Sequence, residues 1–185
     1  RASVVPIGEE QLPLIVQTRE IIDKFHRSYS CDIFPRPEAK LSKAPRIIGL
    51  YGSTKMSKSL NNAIYLKDSP KETAEKIKTS KTDSESHPIY NPGERPEISN
   101  LVLIYGLIHN MNPQDAAKEV VNLNYSQFKQ KLADDLNKYL VPIRERRKEL
   151  KSEHVKEILE SGRKKALTQA EKTMSLVRKA MSIDY

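Results

Sequence analysis

The stretch that decides the fold is Lys55-Met56-Ser57-Lys58-Ser59, called the signature segment below. Its two lysines are separated by small or flexible residues, so a loop of this kind can place two ammonium groups around a triphosphate. Such groups stabilise the negative charge that builds on departing pyrophosphate during attack at the α-phosphate. The alternative is a basic loop of chance composition, but a specified pentapeptide arises by accident in such a chain with a probability on the order of 10⁻⁴. The segment therefore predicts a nucleotide-binding loop.

Composition predicts a soluble, helix-rich globular chain with a basic surface. Hydrophobic residues make up 37% and charged residues 30% of the 185 residues, which excludes a disordered protein. No apolar run is long enough to cross a membrane, and the longest, residues 101–108, is predicted to be a buried helix. The single cysteine, Cys31, cannot form an internal disulfide, which indicates a reducing, intracellular setting. The net charge of +8 permits nucleic-acid binding, although lysine-rich helices that are merely soluble carry the same charge.

Upstream of the signature segment, the sequence predicts half of a βαβ unit. Residues 3–7 are a short β-branched run that ends at Gly8, as is typical of a buried strand followed by a sharp turn. A helix follows, because apolar residues recur three and four positions apart from Leu14 to Tyr29, and Pro13 is tolerated in its first turn. A glycine turn that opens a helix presents free N–H groups, which suit phosphates and ribose hydroxyls.

The next segments are predicted to be a loop and a second strand. Three prolines interrupt any period over residues 31–45, and residues 46–51 then form a short apolar run that leads into the signature segment.

Downstream, the chain is predicted to be helical. Ser69-Pro70-Lys71-Glu72 is a capping box with proline at the first helical position, and Asn112-Pro113-Gln114-Asp115 is a similar start. Two long helices follow, with apolar stripes that begin at Phe128 and at Val155, the second entered through Ser152.

The sequence around the signature segment resembles the class I aminoacyl-tRNA synthetases, and among them the tryptophanyl family. Lys-Met-Ser-Lys-Ser is the second signature of that class. A tyrosyl-type relative would carry a Gly-Ser-Asp-Gln-like segment at residues 8–11, so it is only the third choice. The other similar segments, in order and spacing along essentially the whole chain, are Val5-Pro6-Ile7-Gly8-Glu9-Glu10-Gln11, Ala44-Pro45-Arg46-Ile47-Ile48, Thr82-Asp83-Ser84 and Ile98-Ser99-Asn100-Leu101.

The resemblance implies an α/β plus α fold class that is mostly helical overall. Residues 1–66 are expected to be the C-terminal portion of a Rossmann-like catalytic domain with the signature segment. Residues 67–185 are expected to be an all-helical anticodon-binding domain, whose last helix is free to pack back on the catalytic domain. The family's first signature, a Pro-x-Gly-x-x-His-x-Gly-like segment, does not occur in the chain. Because parallel strands need cover on both faces, residues 1–60 are expected to be poorly supported without the missing half, and the chain to make no adenylate by itself.

The resemblance also implies an ATP site. Gly8, Glu9 and Glu10 are expected to contact ATP at the turn. Gln11 is expected to lie near the ribose or the amino acid, and Ile47 to meet adenine through its backbone. Lys55 and Lys58 are the expected catalytic pair. The residues expected to close over the phosphates with Mg²⁺ are Lys55, Met56, Ser57, Lys58 and Ser59.

Some positions depart from the family pattern or have a simpler interpretation. Glu10 stands where the family usually has aspartate, Leu60 follows the signature segment where bacterial members often have aspartate, and Thr54 precedes it in place of a further lysine. Glu9 and Glu10 could be ordinary first-turn acids that favour the helix dipole, and Gln11 could be a solvated helix residue.

Basic residues in the helical part are candidates for tRNA contacts. Each alone is more often part of a solvated helix face. The four histidines are scattered with no metal-ligand spacing, so no metal site is predicted, and Asp83 is expected to be a cap or an ion-pair partner. The candidate tRNA contacts are Lys76, Lys78, Lys81, Arg144, Arg146 and Arg147.

The sequence therefore predicts a tryptophan–tRNA ligase in its full-length form. It is expected to activate L-tryptophan with ATP and Mg²⁺, to transfer it to tRNA(Trp), and to act as a homodimer without membrane contact, in the cytoplasm or alternatively in an organelle. The alternative from another class is a non-catalytic RNA-binding module derived from a synthetase.

Overall fold

The computed structural model describes residues 1–41, 47–52 and 54–183. Over these residues the chain is mostly helical and separates into two compact units. The first comprises described residues within Arg1–Pro45 and Leu150–Tyr185, and the second those within Arg46–Glu149. The elements, in chain order, are β1 (Val4–Ile7), α1 (Leu12–Tyr29), β2 (Glu38–Leu41), α2 (Pro70–Lys78), α3 (Pro96–Ile108), α4 (Pro113–Val120), α5 (Tyr125–Glu149) and α6 (Ser152–Ala180).

The first unit contains a complete β-α-β element. Strands β1 and β2 pair in parallel, with Val4 opposite Glu38 and Ile7 opposite Leu41, and α1 connects them. The predicted strand, glycine turn and helix are all present, and a proline occupies the first turn of α1 as expected. Helix α1 stops where Ser30 adopts the left-handed conformation, at φ 48°.

The predicted loop over 31–45 and the predicted second strand over 46–51 are both corrected by the structure. The partner of β1 is β2, which lies inside the predicted loop, whereas the described residues 47–51 make only one isolated bridge, between Ile48 and Lys55. Residues 42–45 of the predicted loop and Arg46, the first residue of the predicted strand, lie outside the described residues. The run of apolar residues that indicated a strand instead reflects burial, because Leu50 is 2% exposed in the core of the second unit.

The second unit is a helical core built from α2 to α5. The capping box at Ser69 and Glu72 is formed as predicted, and the Asn112 side chain accepts from the Asp115 N–H at the start of α4. Helix α3, predicted from the apolar run at 101–108, has buried residues on all sides. The largest fully buried apolar side chains of the core are Tyr105, Phe128, Ile77, Ile98, Leu101, Leu132, Val102 and Val120.

The predicted domain boundary near residue 66 falls inside the second unit. The Lys76 ammonium on α2 reaches back to the Asp68 carboxylate at 2.7 Å and to the Ala63 carbonyl at 3.0 Å. Asp68 in turn accepts from the backbone N–H of Tyr65. These contacts join residues 63–68, which follow the signature segment, to helix α2. The assignment of a catalytic and an anticodon-binding domain stays a prediction, as does the packing of the last helix.

Helix α6 begins at Ser152, as predicted, and has no buried residue. None of the described helices combines the length and the apolar character that a membrane crossing requires.

An ion pair between Asp83 and Arg95 ties the loop after α2 to the start of α3. The guanidinium donates to both carboxylate oxygens, at 2.7 and 3.0 Å, and the Tyr125 hydroxyl also bonds the carboxylate. The hydrogen bonds from Arg95 hold the pKa of Asp83 at about 2, below its ordinary value of 3.8. Burial and the Asp83 carboxylate raise the pKa of Tyr125 to about 12. Asp83 is thus an ion-pair partner, as the sequence indicated.

We expect the second unit to lose stability in acid because of Asp83. A carboxylate whose pKa is lower in the folded state stabilises the fold above its unfolded pKa, and this contribution disappears as the pH falls from about 4 towards 2. For this partly exposed pair it is about 1 to 2 kcal/mol. Urea unfolding of the wild type and Asp83→Asn at pH 7 and pH 3 measures it. Asp83→Asn should destabilise the second unit at pH 7 and about half as much at pH 3, where the carboxylate is still ionised in most folded molecules but protonated in most unfolded ones. Asp134→Asn, at an exposed carboxylate, should leave the stability unchanged at both pH values. Equal effects of Asp83→Asn at the two pH values would contradict the assignment.

Candidate functional site

The signature segment lies on a tightly reversed loop of the second unit. Ile48 and Lys55 form an antiparallel bridge, and the Gly49 N–H donates to the Thr54 carbonyl at 2.7 Å. Ser53 lies outside the described residues. The bridge places the first residue of the signature segment directly beside Ile48.

Helix α3 holds the base of this loop through the Asn100 side chain. Its Oδ1 accepts from the Ile48 N–H at 3.1 Å, and its Nδ2 donates to the Ile48 carbonyl at 3.0 Å. Asn100 is 6% exposed, so both contacts are shielded from water. An asparagine can satisfy both groups of one backbone residue because it carries a donor and an acceptor on one amide. The predicted adenine-binding residue Ile47, half-buried, directly precedes this anchored position.

The side chain of Asn62 holds the signature segment itself. Its Oδ1 accepts from the Ser57 N–H at 2.8 Å and its Nδ2 donates to the Lys55 carbonyl at 3.2 Å. Neither Asn62 nor Asn100 was singled out from the sequence as a site residue. A polar residue buried beside a loop is the signal that could have found them, but burial cannot be read from an isolated asparagine.

The two predicted catalytic lysines are both exposed. Between them Met56 and Ser57 are half-buried, and the Ser57 and Ser59 hydroxyls are hydrogen-bonded at 2.8 Å. The chain turns after the segment, where the Lys58 carbonyl accepts from the Asn61 N–H at 3.2 Å. The arrangement presents two cationic side chains to solvent from a backbone that is fixed at Lys55 and Ser57, as electrostatic stabilisation of a polyphosphate requires.

The predicted glycine turn lies in the first unit, between β1 and α1. Residues Glu9–Gln11 form one 3₁₀ turn, in which the Gln11 N–H donates to the Gly8 carbonyl at 3.0 Å. Glu9 and Glu10 are exposed and Gln11 is half-buried. The Glu10 carboxylate fills the space beside Gly8, where an added Cβ would stand 2.5 Å from Oε2. The structure therefore groups the four predicted residues of the turn, and it groups Ile47 with the signature segment in the other unit.

Several predicted tRNA contacts are engaged within the protein. Lys76 pairs with Asp68 as described above, Lys81 lies 2.8 Å from Glu97, and Arg146 lies 3.0 Å from Glu149. Lys78 and Arg147 are exposed. The predicted contact with tRNA stays a prediction for all of them.

Arg144 connects α5 to α2. It donates to the Asn137 Oδ1 at 2.8 Å and to the Thr73 Oγ1 at 2.7 Å, while its Nε is buried without a hydrogen-bond partner among the described residues. Arg144 and Arg147 also line a cavity of about 460 Å³ whose apolar walls include Pro70 and Val141. This cavity combines cationic and apolar groups. No three His, Cys, Asp or Glu side chains of residues 1–41, 47–52 and 54–183 are grouped as a metal site.

Comparison with known proteins identifies the family. Residues 1–141 match the family described as tRNA synthetases class I (W and Y). The chain belongs to the class I tRNA synthetases of the W and Y group. This class I chain is 38% identical over 197 aligned residues to the tryptophan–tRNA ligase of Streptococcus pyogenes, a match that covers 100% of the chain and 57% of the relative. The chain thus spans a little over half the length of the curated relatives that it matches.

Solved structures confirm the class I fold. The tryptophanyl-tRNA synthetase of Mycoplasma pneumoniae superposes with a TM-score of 0.85 at 22% identity, over 98% of this chain and 56% of that one. The Campylobacter jejuni tryptophanyl-tRNA synthetase, in a complex with ADP and tryptophan, superposes with a TM-score of 0.67 at 28% identity, over 97% of this chain and 56% of that one. The predicted fold class and the predicted membership of the class I synthetases are therefore confirmed.

Proposed function

We propose that this chain is part of a tryptophan–tRNA ligase. The enzyme activates L-tryptophan by attack of its carboxylate on the α-phosphate of ATP, with pyrophosphate departing in line, and transfers the aminoacyl group to tRNA(Trp). The names of the matched relatives support tryptophan as the amino acid. The observation that carries the proposal is the signature segment, which holds two exposed lysines on a backbone anchored by buried asparagines.

Catalysis in this proposal is orientation combined with neutralisation of charge. The segment from Lys55 to Ser59 closes over the phosphates, and Mg²⁺ enters with ATP. Adenine lies against the Ile47 backbone. From the resemblance, we also propose that Gly8, Glu9 and Glu10 contact ATP and that Gln11 lies near the ribose or the amino acid. The exposed Glu9 and Glu10 carboxylates are acceptors for ribose hydroxyls, and Gln11 can both donate and accept.

Tryptophan-dependent exchange of pyrophosphate into ATP by the complete gene product tests the proposal. We expect exchange with tryptophan and not with tyrosine, followed by charging of tRNA(Trp). The 185-residue chain assayed alone should give no exchange, because its two-stranded parallel sheet leaves Val4 and Leu41 50% and 44% exposed. Exchange with tyrosine would instead favour a tyrosyl-type enzyme. Binding of tRNA without any exchange would favour the RNA-binding module.

The partners of the proposed enzyme are tRNA(Trp), ATP, L-tryptophan and a second copy of itself. The cytoplasm is the proposed location, with an organelle as the alternative, and both the location and the homodimer rest on the resemblance.

The basic end of α5 is expected to contact the tRNA backbone. The double substitution Arg146→Ala and Arg147→Ala should weaken tRNA binding. It should also reduce the magnitude of the slope of log K, the logarithm of the binding constant, against the logarithm of the salt concentration by about 1 to 2. Filter binding or fluorescence anisotropy at several salt concentrations measures both. Arg144 is left in place because it also links α5 to Thr73.

The matched control for this double substitution removes the same charge elsewhere. Lys118 and Lys138 have side chains 79% and 81% exposed and lie on α4 and α5 of the same unit. Replacing both by alanine should change tRNA binding much less. An equal loss for the two pairs would mean that net charge, and not this surface, determines binding.

A further inference from the structure

We infer that Asn62 is a positioning residue for the reaction and acts by fixing the backbone from which Lys55 and Lys58 project. The inference rests on the proposed function of the signature segment. Asn62 lies outside that segment and carries no charge, so its contribution to the rate is indirect and passes through the two lysines.

The contacts of Asn62 join two points of the segment. Its Oδ1 receives the Ser57 N–H at 2.8 Å, and its Nδ2 reaches the Lys55 carbonyl at 3.2 Å and the Thr54 Oγ1 at 3.4 Å. One planar amide therefore fixes the main chain on both sides of Met56. Ser57, whose N–H is bonded, immediately precedes Lys58. The positions of both lysines therefore depend on the Asn62 side chain.

Asn62 is held by buried residues of the core. The Asn62 side chain is almost completely buried, with the residue 3% exposed, and its own carbonyl accepts from the Leu50 N–H at 2.9 Å. The Leu50 carbonyl in turn accepts from the Lys81 N–H at 2.8 Å, and the Leu50 side chain lies in the helical core. The segment is therefore attached to the buried core of the second unit, and we expect the lysines to need little ordering before they act.

Gly49 makes this arrangement possible. A Cβ at that position would stand 2.0 Å from Nδ2 and 2.4 Å from Cγ of Asn62. Real atoms do not approach so closely, and Asn62 is held on both of its amide atoms. A methyl group at Gly49 would therefore displace the amide from the signature segment without any change in the segment itself.

The chemistry requires an amide and not a carboxylate. Asparagine donates and accepts at the same time, whereas an ionised aspartate only accepts. In Asn62→Asp the Ser57 N–H keeps an acceptor, but the Lys55 carbonyl faces a second oxygen in place of a donor. We expect the Lys55 end of the segment to detach while the nearly isosteric side chain leaves the core packed.

The neighbouring Asn61 provides a matched control. It is exposed, and its φ of 49° is in the left-handed region that asparagine and aspartate both tolerate. Asn61→Asp adds the same negative charge one residue away and leaves the Asn62 contacts intact. The difference between the two aspartate variants thus isolates the amide contacts from the effect of charge.

Two measurements on the complete gene product test the inference. Hydrogen exchange of the backbone amides from Lys55 to Ser59 should be at least about 10-fold faster in Asn62→Asp than in Asn61→Asp, while amides of α3 and α5 stay unchanged. The maximal rate of tryptophan-dependent exchange of pyrophosphate into ATP should fall about 10- to 100-fold in Asn62→Asp, with a much smaller change in the KM for ATP. Gly49→Ala should reproduce both effects.

A combined substitution separates positioning from a direct role. In a background in which both Lys55 and Lys58 are replaced by alanine, Asn62→Asp should lower the remaining rate by less than about 3-fold, because both groups that it positions are gone. An equal reduction in both backgrounds would overturn the inference, as would equal hydrogen exchange in the two aspartate variants. If the wild type gives no exchange activity while the hydrogen-exchange contrast is present, the proposed function fails and Asn62 is only a structural anchor of the loop.

Discussion

Replacement of Lys58 or Lys55 by alanine in the complete gene product is expected to lower the rate of tryptophanyl-adenylate formation by about 10²- to 10³-fold. Both side chains are exposed on the anchored loop, so they can reach a polyphosphate without reorganisation of the core. Negative charge on the leaving pyrophosphate grows in the transition state. The lysines should therefore stabilise the transition state more than bound ATP.

Single-turnover kinetics and equilibrium ATP binding measured in parallel distinguish these contributions. ATP binding should weaken far less than the activation rate falls. Lys71→Ala is the control, since Lys71 is an exposed lysine in the first turn of α2, outside the loop. Equal losses in binding and in rate would show that the lysines contribute uniformly to ATP binding, and the proposed roles would be wrong.

Replacement of Phe128 by alanine is expected to cost about 3 to 5 kcal/mol of folding free energy. Phe128 is fully buried on α5, and its ring centroid lies 6.0 Å from that of Tyr105 on α3 in an edge-to-face arrangement. Its removal leaves a cavity between the two helices. Helix α3 carries Asn100, which bonds the Ile48 backbone. Phe128→Ala should therefore also loosen the loop that carries the signature segment.

Urea unfolding followed by circular dichroism measures this loss. Tyr139→Ala on the same helix is the matched control, because Tyr139 is 56% exposed and its truncation should cost less than about 1 kcal/mol. Similar losses for the two variants would contradict the assignment of the core.

In the second unit, the position of the signature segment depends on the packing of the helical core. Asn100 and Asn62 connect the signature segment to α3 and to Leu50, so the geometry of the lysines depends on core packing. A substitution distant from the lysines, such as Phe128→Ala, can therefore affect catalysis even at temperatures where most molecules remain folded.

The features that the sequence alone determines are those encoded by residues close together along the chain. The helix starts at Ser69 and Asn112 are predicted correctly because a side-chain cap involves residues within about four positions of one another. The start of α6 at Ser152 is also predicted correctly, although no side chain caps it. The buried character of α3 followed from its uninterrupted apolar run. The signature segment and its flanking resemblances indicated the family, since they depend on residue identity and spacing alone.

What only the tertiary structure decided are the contacts between distant residues. Strand β2 contains glutamate and lysine, and the sequence predicts a loop there. The segment is a strand because it pairs with β1, and its own sequence carries no strand pattern. The run at residues 46–51 is predicted to be a strand, yet the Ile48 backbone pairs with an asparagine side chain 52 positions away. No local pattern encodes such a partner, since the free energy that selects it comes from burial of the whole core.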